Sequence, residues 1–110
     1  IVQDVRFLPN PYYDEELRPL TGNDKVIQDY VMNCKEGPEF LDKFIDLVQF
    51  LIPNYIKEGK NQLVISIGCT GGKHRSVTIA NEVYSRLQKS TYTVRIYHRD
   101  IGKDAVVKKL

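Results

Sequence analysis

Two cysteines in 110 residues, Cys34 and Cys69, are too few for a disulfide framework. They do not combine with His74 and His98 in the spacing of a metal site, so no metal and no cofactor is expected. No apolar run approaches the ~20 residues of a membrane-spanning helix. No stretch is laid out as a signal peptide, and neither repeats nor low-complexity segments occur. Together these absences favour a cytoplasmic chain with no membrane partner. Both common nucleotide fingerprints are missing too, G-x-x-x-x-G-K-[ST] and G-x-G-x-x-G. The first residue is Ile1 and not Met, which suggests a domain of a larger protein.

What remains is ordinary for one folded domain with one core: 42% hydrophobic and 27% charged residues. Net charge is only +2, yet it is unevenly spread. Residues 1–56 carry five basic and ten acidic side chains, and residues 57–110 carry eleven basic and four acidic ones. A basic C-terminal half suggests a polyanionic partner.

That half contains the most informative stretch. Leu63-Val64-Ile65-Ser66-Ile67 reads as a strand, and a helix runs from about Lys73–Ser76 to Lys89. Between them lies Gly68-Cys69-Thr70-Gly71-Gly72-Lys73-His74-Arg75-Ser76. Unpaired N–H groups and the helix macrodipole favour an anion at a helix start. Glycines let backbone close around a phosphate. The loop also matches Cys-x-x-Gly-x-x-Arg-Ser, the cradle of cysteine-dependent phosphatases, with Cys69 as nucleophile and Arg75 as phosphate fork. Such an enzyme needs a general acid, for which Asp4, Asp14 and Asp100 are candidates. Simple phosphate binding is the preferred reading, and catalysis by Cys69 and Arg75 is the alternative.

Taken in order, residues 1–7 read as a strand, followed by a proline-fixed loop with Asn10, Tyr12 and Tyr13. Asn23 or Asp24 would cap a short helix ending near Asn33. Gly37-Pro38 should then break the chain. Phe40, Leu41, Phe44, Ile45, Val48, Leu51, Ile52, Tyr55 and Ile56 mark a long helix, with Pro53 expected to kink or divide it and Gly59 to end it. Leu47 and Phe50 widen its apolar face, which suggests packing inside the fold or a homo-oligomer. Leu63 to Ile67 is apolar without alternation, as suits a central parallel strand. Residues 93–99 alternate as a third strand. The order predicts an α/β fold: a small three-layer α/β sandwich with a mainly parallel sheet, strands about 1–7, 63–67 and 93–99. Its carboxyl strand ends, residues 6–13, 68–76 and 98–100, would converge on one edge, where ligands bind in such sheets.

Four motifs in order carry a resemblance. They are Asp4-Val-Arg-Phe-Leu-Pro-Asn-Pro-Tyr-Tyr-Asp, Leu17-Arg-Pro-Leu-Thr-Gly-Asn-Asp-Lys, Ile67-Gly-Cys-Thr-Gly-Gly-Lys-His-Arg-Ser-Val and His98-Arg99. They resemble the C-terminal domain of the RapZ/YvcJ family over nearly all of residues 1–110. The resemblance implies a single non-catalytic domain whose larger protein has an N-terminal P-loop domain. It implies binding of glucosamine-6-phosphate and of small regulatory RNA, and contact with an endoribonuclease. Family positions fall on Asp4, Asn10, Thr70, Gly71, His74 and Arg75. With Tyr12, Cys69, Gly72 and Ser76 these form the expected ligand site. Tyr12 stands where the family's enterobacterial adapter has a histidine. Lys73, Lys89, Arg95, Arg99 and Lys103 are the expected RNA contacts.

Overall fold

The computed structural model describes residues 1–101. In chain order they form β1 (Val2–Asp4), a 3-10 turn (Pro11–Tyr13), α1 (Lys25–Met32), α2 (Glu36–Lys57), β2 (Ser66–Gly68) and α3 (Arg75–Gln88). The strongest apolar period becomes the longest element. In α2, Leu41, Phe44, Ile45 and Val48 are buried on one stripe, while Leu47 and Phe50 stay exposed.

The expected break at Gly37-Pro38 does not occur, because both residues lie in the first turn of α2. There a proline loses no intrahelical bond, since the N–H would have no acceptor. Gly37 is buried against Met32, whose Sδ would lie 3.3 Å from a Cβ at that position. Pro53 does not divide the helix either. Its missing N–H leaves a gap in the ladder, and next to it the Asn54 amide donates to the Phe50 carbonyl at 2.7 Å. Gly59 ends the helix as expected, at φ +88°. Gly59 N–H donates to Ile56 O and Lys60 N–H to Tyr55 O, each at 3.0 Å, the two bonds of a Schellman cap.

β1 and β2 pair in parallel, with Val2 opposite Ser66, Gln3 opposite Ile67 and Asp4 opposite Gly68. Val5, Ile27, Val31, Leu41, Val48 and Ile79 form the fully buried centre, and Ile65 and Ile67 pack against it from the sheet. The α/β class and parallel pairing therefore agree with the sequence. Two details do not. The helices cover one face only: Val2 and Val64, on the other face, are 85% and 63% exposed, so no third layer exists among the described residues. Residues 93–98, in the expected third strand 93–99, carry no regular secondary structure and form no ladder. Their far end is tied to α3 by His98 Nε2 and Asn81 Oδ1 at 3.1 Å, and not to β2.

Asp24 does precede α1, but its carboxylate accepts from Thr21 N–H at 2.8 Å and not from the helix. This fixes the tight turn at Gly22, where the chain touches α3. Gly22 N–H donates to Lys73 O at 3.0 Å. A Cβ on Gly22 would meet Thr78 N at 2.5 Å and His74 O at 2.6 Å, both rigid backbone. A Cβ on Gly59 would meet nothing within 4 Å. Gly22→Ala is therefore expected to destabilise by about 3 kcal/mol through overpacking. Gly59→Ala, which suffers only from its φ, should lose about 1 kcal/mol. Urea unfolding of both variants measures the difference, and equal losses would contradict the packing given for Gly22.

Candidate functional site

The register brings the carboxyl ends of β1 and β2 side by side, Asp4 opposite Gly68. From there residues 69–74 cross to the N-terminus of α3. Gly72 makes the turn possible, at φ +69°. It also admits Asp100: a Cβ on Gly72 would lie 2.8 Å from Asp100 Cβ. So two of the three predicted polar ends, and Asp100 of the third, do converge.

Arg75 is buried at the first position of α3. Its guanidinium turns back under the loop. Nη1 donates to Arg6 O at 2.6 Å and to Leu8 O at 3.4 Å, and Nη2 reaches Thr70 Oγ1 at 3.4 Å. The side chain expected to fork onto phosphate thus joins the exit of β1 to the glycine loop. His74 is buried too, with Nε2 3.1 Å from Arg18 O. Its ring faces the 18–22 turn. Burial holds His74 below the ordinary histidine range, and the charges of Lys73 and Arg75 add to this. The carbonyls of Arg18 and Leu20 pull the other way.

Cys69 and Ser76 close the base of the loop. Cys69 Sγ lies 3.3 Å from Ser76 Oγ and accepts Ser76 N–H at 3.4 Å. Burial alone would push the thiol up. The Ser76 hydroxyl, the N–H groups of Ser76 and Gly72 and the Arg75 charge outweigh it, so the thiol is held below its usual value. The sulfur therefore sits where helix-start donors point. No hydrogen bond to the N–H groups of Gly71 or Lys73 occurs among the described residues.

The other predicted residues divide into two groups. Asp4 is exposed at the end of β1, and its carboxylate accepts Arg6 N–H at 2.9 Å and Arg6 Nε at 2.7 Å. The Arg6 N–H, more than any other contact, holds its carboxyl below the ordinary range. Asn10 caps the 3-10 turn, accepting Tyr12 N–H at 3.2 Å. Tyr12 lies beneath the Arg18 guanidinium, 4.6 Å from ring centroid to Cζ. Of the basic residues, Lys73 is on the loop and Arg99 beside it, paired with Asp100 at 3.0 Å. Lys89 stands at the opposite end of α3, roughly 20 Å away along a helix of this length. Arg95 is exposed on the segment after α3. Lys103 lies outside the described residues. Cys34 is half-buried, with Sγ 3.7 Å from Val31 O.

Three residues important to the loop were not among the expected site residues. Gly22 docks on Lys73, Arg18 receives His74, and Asn81 donates to Gly22 O at 3.3 Å and to Asn23 Oδ1 at 2.8 Å. Arg18 and Gly22 lie in the motif from Leu17 to Lys25, whereas Asn81 carries no sequence signal of its own. The His74 brace has a pH signature. An unfolded histidine binds its proton near pH 6.5, and folded His74 binds it only at lower pH. As pH falls through about 6.5 the unfolded chain gains the proton first, so stability falls and is fully present only above that pH. His98, also lowered by burial, contributes with the same sign. The melting temperature is expected to drop between pH 7 and pH 5. His74→Gln should reduce that slope, and an unchanged slope would show that His74 titrates normally.

Comparison with known proteins places this geometry. The model of the family described as the RapZ C-terminal domain matches residues 1–102. A nucleotide-binding protein of Agathobacter rectalis is 70% identical over 107 residues, which are 96% of this chain and 37% of that protein. One from Thermoanaerobacter sp. (strain X514) is 64% identical over 104 residues, 94% of this chain and 37% of the relative. One from Clostridium beijerinckii is 58% identical over 104 residues, 94% and 35%. The chain thus spans little more than a third of the length of these relatives. With its loop, its 17–25 turn and its strand ends all inside the matched region, the chain belongs to the RapZ C-terminal domain family.

Proposed function

We propose that this domain is a non-catalytic sensor of a phosphorylated metabolite, an amino sugar phosphate such as glucosamine-6-phosphate, and that it also binds RNA. The observation that supports the reading is the 68–76 loop. It lies between a parallel strand and a helix start, at the carboxyl edge of the sheet, and is braced by His74 on Arg18 O and Arg75 on Arg6 O. Thr70, Gly71, Gly72 and Ser76 would hold the phosphate, with Lys73 supplying charge. Arg75 would act through the loop it braces. Asp4, Asn10 and Tyr12 border the same edge and would orient the sugar. Lys73, Lys89, Arg95 and Arg99 would meet RNA phosphates.

Neither nucleotide fingerprint occurs in residues 1–110, so we assign the nucleotide binding in the relatives' names to the rest of the longer protein. The exposed Leu47 and Phe50 on α2 are consistent with a homo-oligomer, and an endoribonuclease is a further partner in this reading. No helix among the described residues is long and apolar enough to cross a membrane. A cytoplasmic location belongs to this reading because RNA and an endoribonuclease would be met there.

Calorimetry with glucosamine-6-phosphate tests the site. Binding is expected, and Lys73→Ala should weaken it about tenfold or more, the worth of one charge-assisted contact. Unchanged affinity would remove Lys73 from the site. In the same way, converting Lys73, Lys89, Arg95 and Arg99 to alanine should weaken RNA binding. It should also flatten its salt dependence by about 0.7 per lost phosphate contact.

A second reading, a cysteine-dependent phosphatase, is favoured by the lowered Cys69 thiol and its position seven residues before Ser76. The arginine such chemistry needs in front of the loop is engaged behind it, on Arg6 O and Leu8 O. We therefore expect no turnover of an aryl phosphate between pH 5 and 9. Turnover that Cys69→Ser abolishes would favour the enzyme instead.

A further inference from the structure

Two tyrosines stand almost wholly in solvent, Tyr13 at 80% and Tyr97 at 83% exposed. Exposure of one aromatic ring is ordinary; the surroundings separate these two. Tyr13 packs edge-on against Tyr12, with centroids 5.7 Å apart, and the chain runs on into Asp14-Glu15-Glu16. Those carboxylates disfavour an anion. Tyr97 has neither a ring contact nor a hydrogen bond among the described residues. It stands between Arg95 and Arg99, both exposed.

Arg99 is anchored and still able to bind. Its Nε and Nη2 donate to Asp100 Oδ2 at 3.3 and 3.0 Å, while Nη1 has no partner among the described residues. Asp100 is buried and packs on Gly72, so this guanidinium is held beside the 68–76 loop. The hydrogen bonds to Asp100 raise the pKa of Arg99, and the Tyr97 phenol is near enough to add to this. Arg95 and Arg99 are each two residues from Tyr97, so their Cα atoms lie within about 7 Å of its own. A ring between two cations suits a single nucleic acid strand, because every base has a face to stack and a phosphate on either side. In a duplex the base faces are covered by their neighbours. An exposed ring therefore meets unpaired bases in loops, bulges and ends.

We propose, on the reading that this domain binds RNA, that Tyr97 is a stacking platform for an unpaired base, with Arg95 and Arg99 on the flanking phosphates. The preferred RNA is then single-stranded at the point of contact. The two parts of the contact respond differently to salt. Stacking on a neutral ring is not screened, whereas the arginine contacts release counterions and weaken as salt rises.

Fluorescence anisotropy of the intact chain tests this, with an unstructured RNA strand of about 12 nucleotides and an abasic strand of the same length and charge. The wild type is expected to bind the base-bearing strand at least about fivefold more tightly, the worth of one stacked base. Tyr97→Ala should erase that preference and leave the salt dependence as it was. Tyr97→Phe and Tyr13→Ala should both retain the preference. An unchanged melting temperature checks that the exposed ring is not needed for folding. Equal affinity of the wild type for the two strands would overturn stacking and leave RNA binding in place. A preference that survives Tyr97→Ala would overturn it as well, since the bases would then be met elsewhere. So would a loss in Tyr97→Phe as large as in Tyr97→Ala, which would assign the effect to the hydroxyl. Binding of neither strand would overturn both stacking and the RNA reading beneath it.

Discussion

The Arg75 guanidinium is the tie on which the site depends. A buried cation is costly unless donors and acceptors match around it. Here Arg6 O and Leu8 O supply acceptors from the exit of β1, and Thr70 Oγ1 supplies one from the loop. One side chain on α3 therefore sets the distance between two strand ends and the loop above them. A lysine at this position would bring a point charge in place of the planar fork, and it has too few fixed donors to span the same carbonyls.

The brace continues on the other side of the helix start. His74 rests on Arg18 O, Gly22 N–H donates to Lys73 O, and Asn81 holds the 22–23 turn and His98. The loop is thus fastened by elements before and after it in the chain. Its base is closed by the Cys69 sulfur against Ser76. A loop held in this way has little freedom left to lose when an anion arrives, and that preorganisation is worth as much as a further contact. It also explains why the polar turn from Leu17 to Lys25 belongs with the glycine loop: the turn is its support.

The sequence revealed best what depends on local pattern. The period of Leu41, Phe44, Ile45 and Val48 located α2, and Gly59 located its end, because a left-handed cap is a local requirement. Gly37-Pro38 misled for a reason of position: the same pair breaks a helix inside it and is tolerated in its first turn. Leu63 to Ile67 and residues 93–99 were legible as segments that favour strands, but pattern alone does not say which edge meets which. Arg75 and His74 show the same limit within the site. Their place in the motif was legible, yet the direction of a side chain is set by what packs behind it. Arg6 O, Leu8 O and Arg18 O are backbone groups that no residue identity announces.

Charge shows the same division between what is spread along the chain and what is gathered in space. The acidic first half and basic second half are joined across the fold by Arg86 and Asp42 at 3.1 Å. The other ion pairs among the described residues each lie within one half, so the imbalance seen along the sequence largely persists in the fold. At the loop the balance is different. Arg6, Lys73, Arg75 and Arg99 stand against Asp4 and Asp100, and both carboxylates are already engaged by arginines. The excess of two positive charges is close to the −1.5 to −2 of a phosphate monoester. A polyanion needs more than that, so in the proposed reading contact with several phosphates would also draw on Arg95 and on Lys89 at the far end of α3. A single phosphate and a nucleic acid strand would then share Lys73 and Arg99. Occupation of the loop by the first would weaken the grip on the second through charge alone.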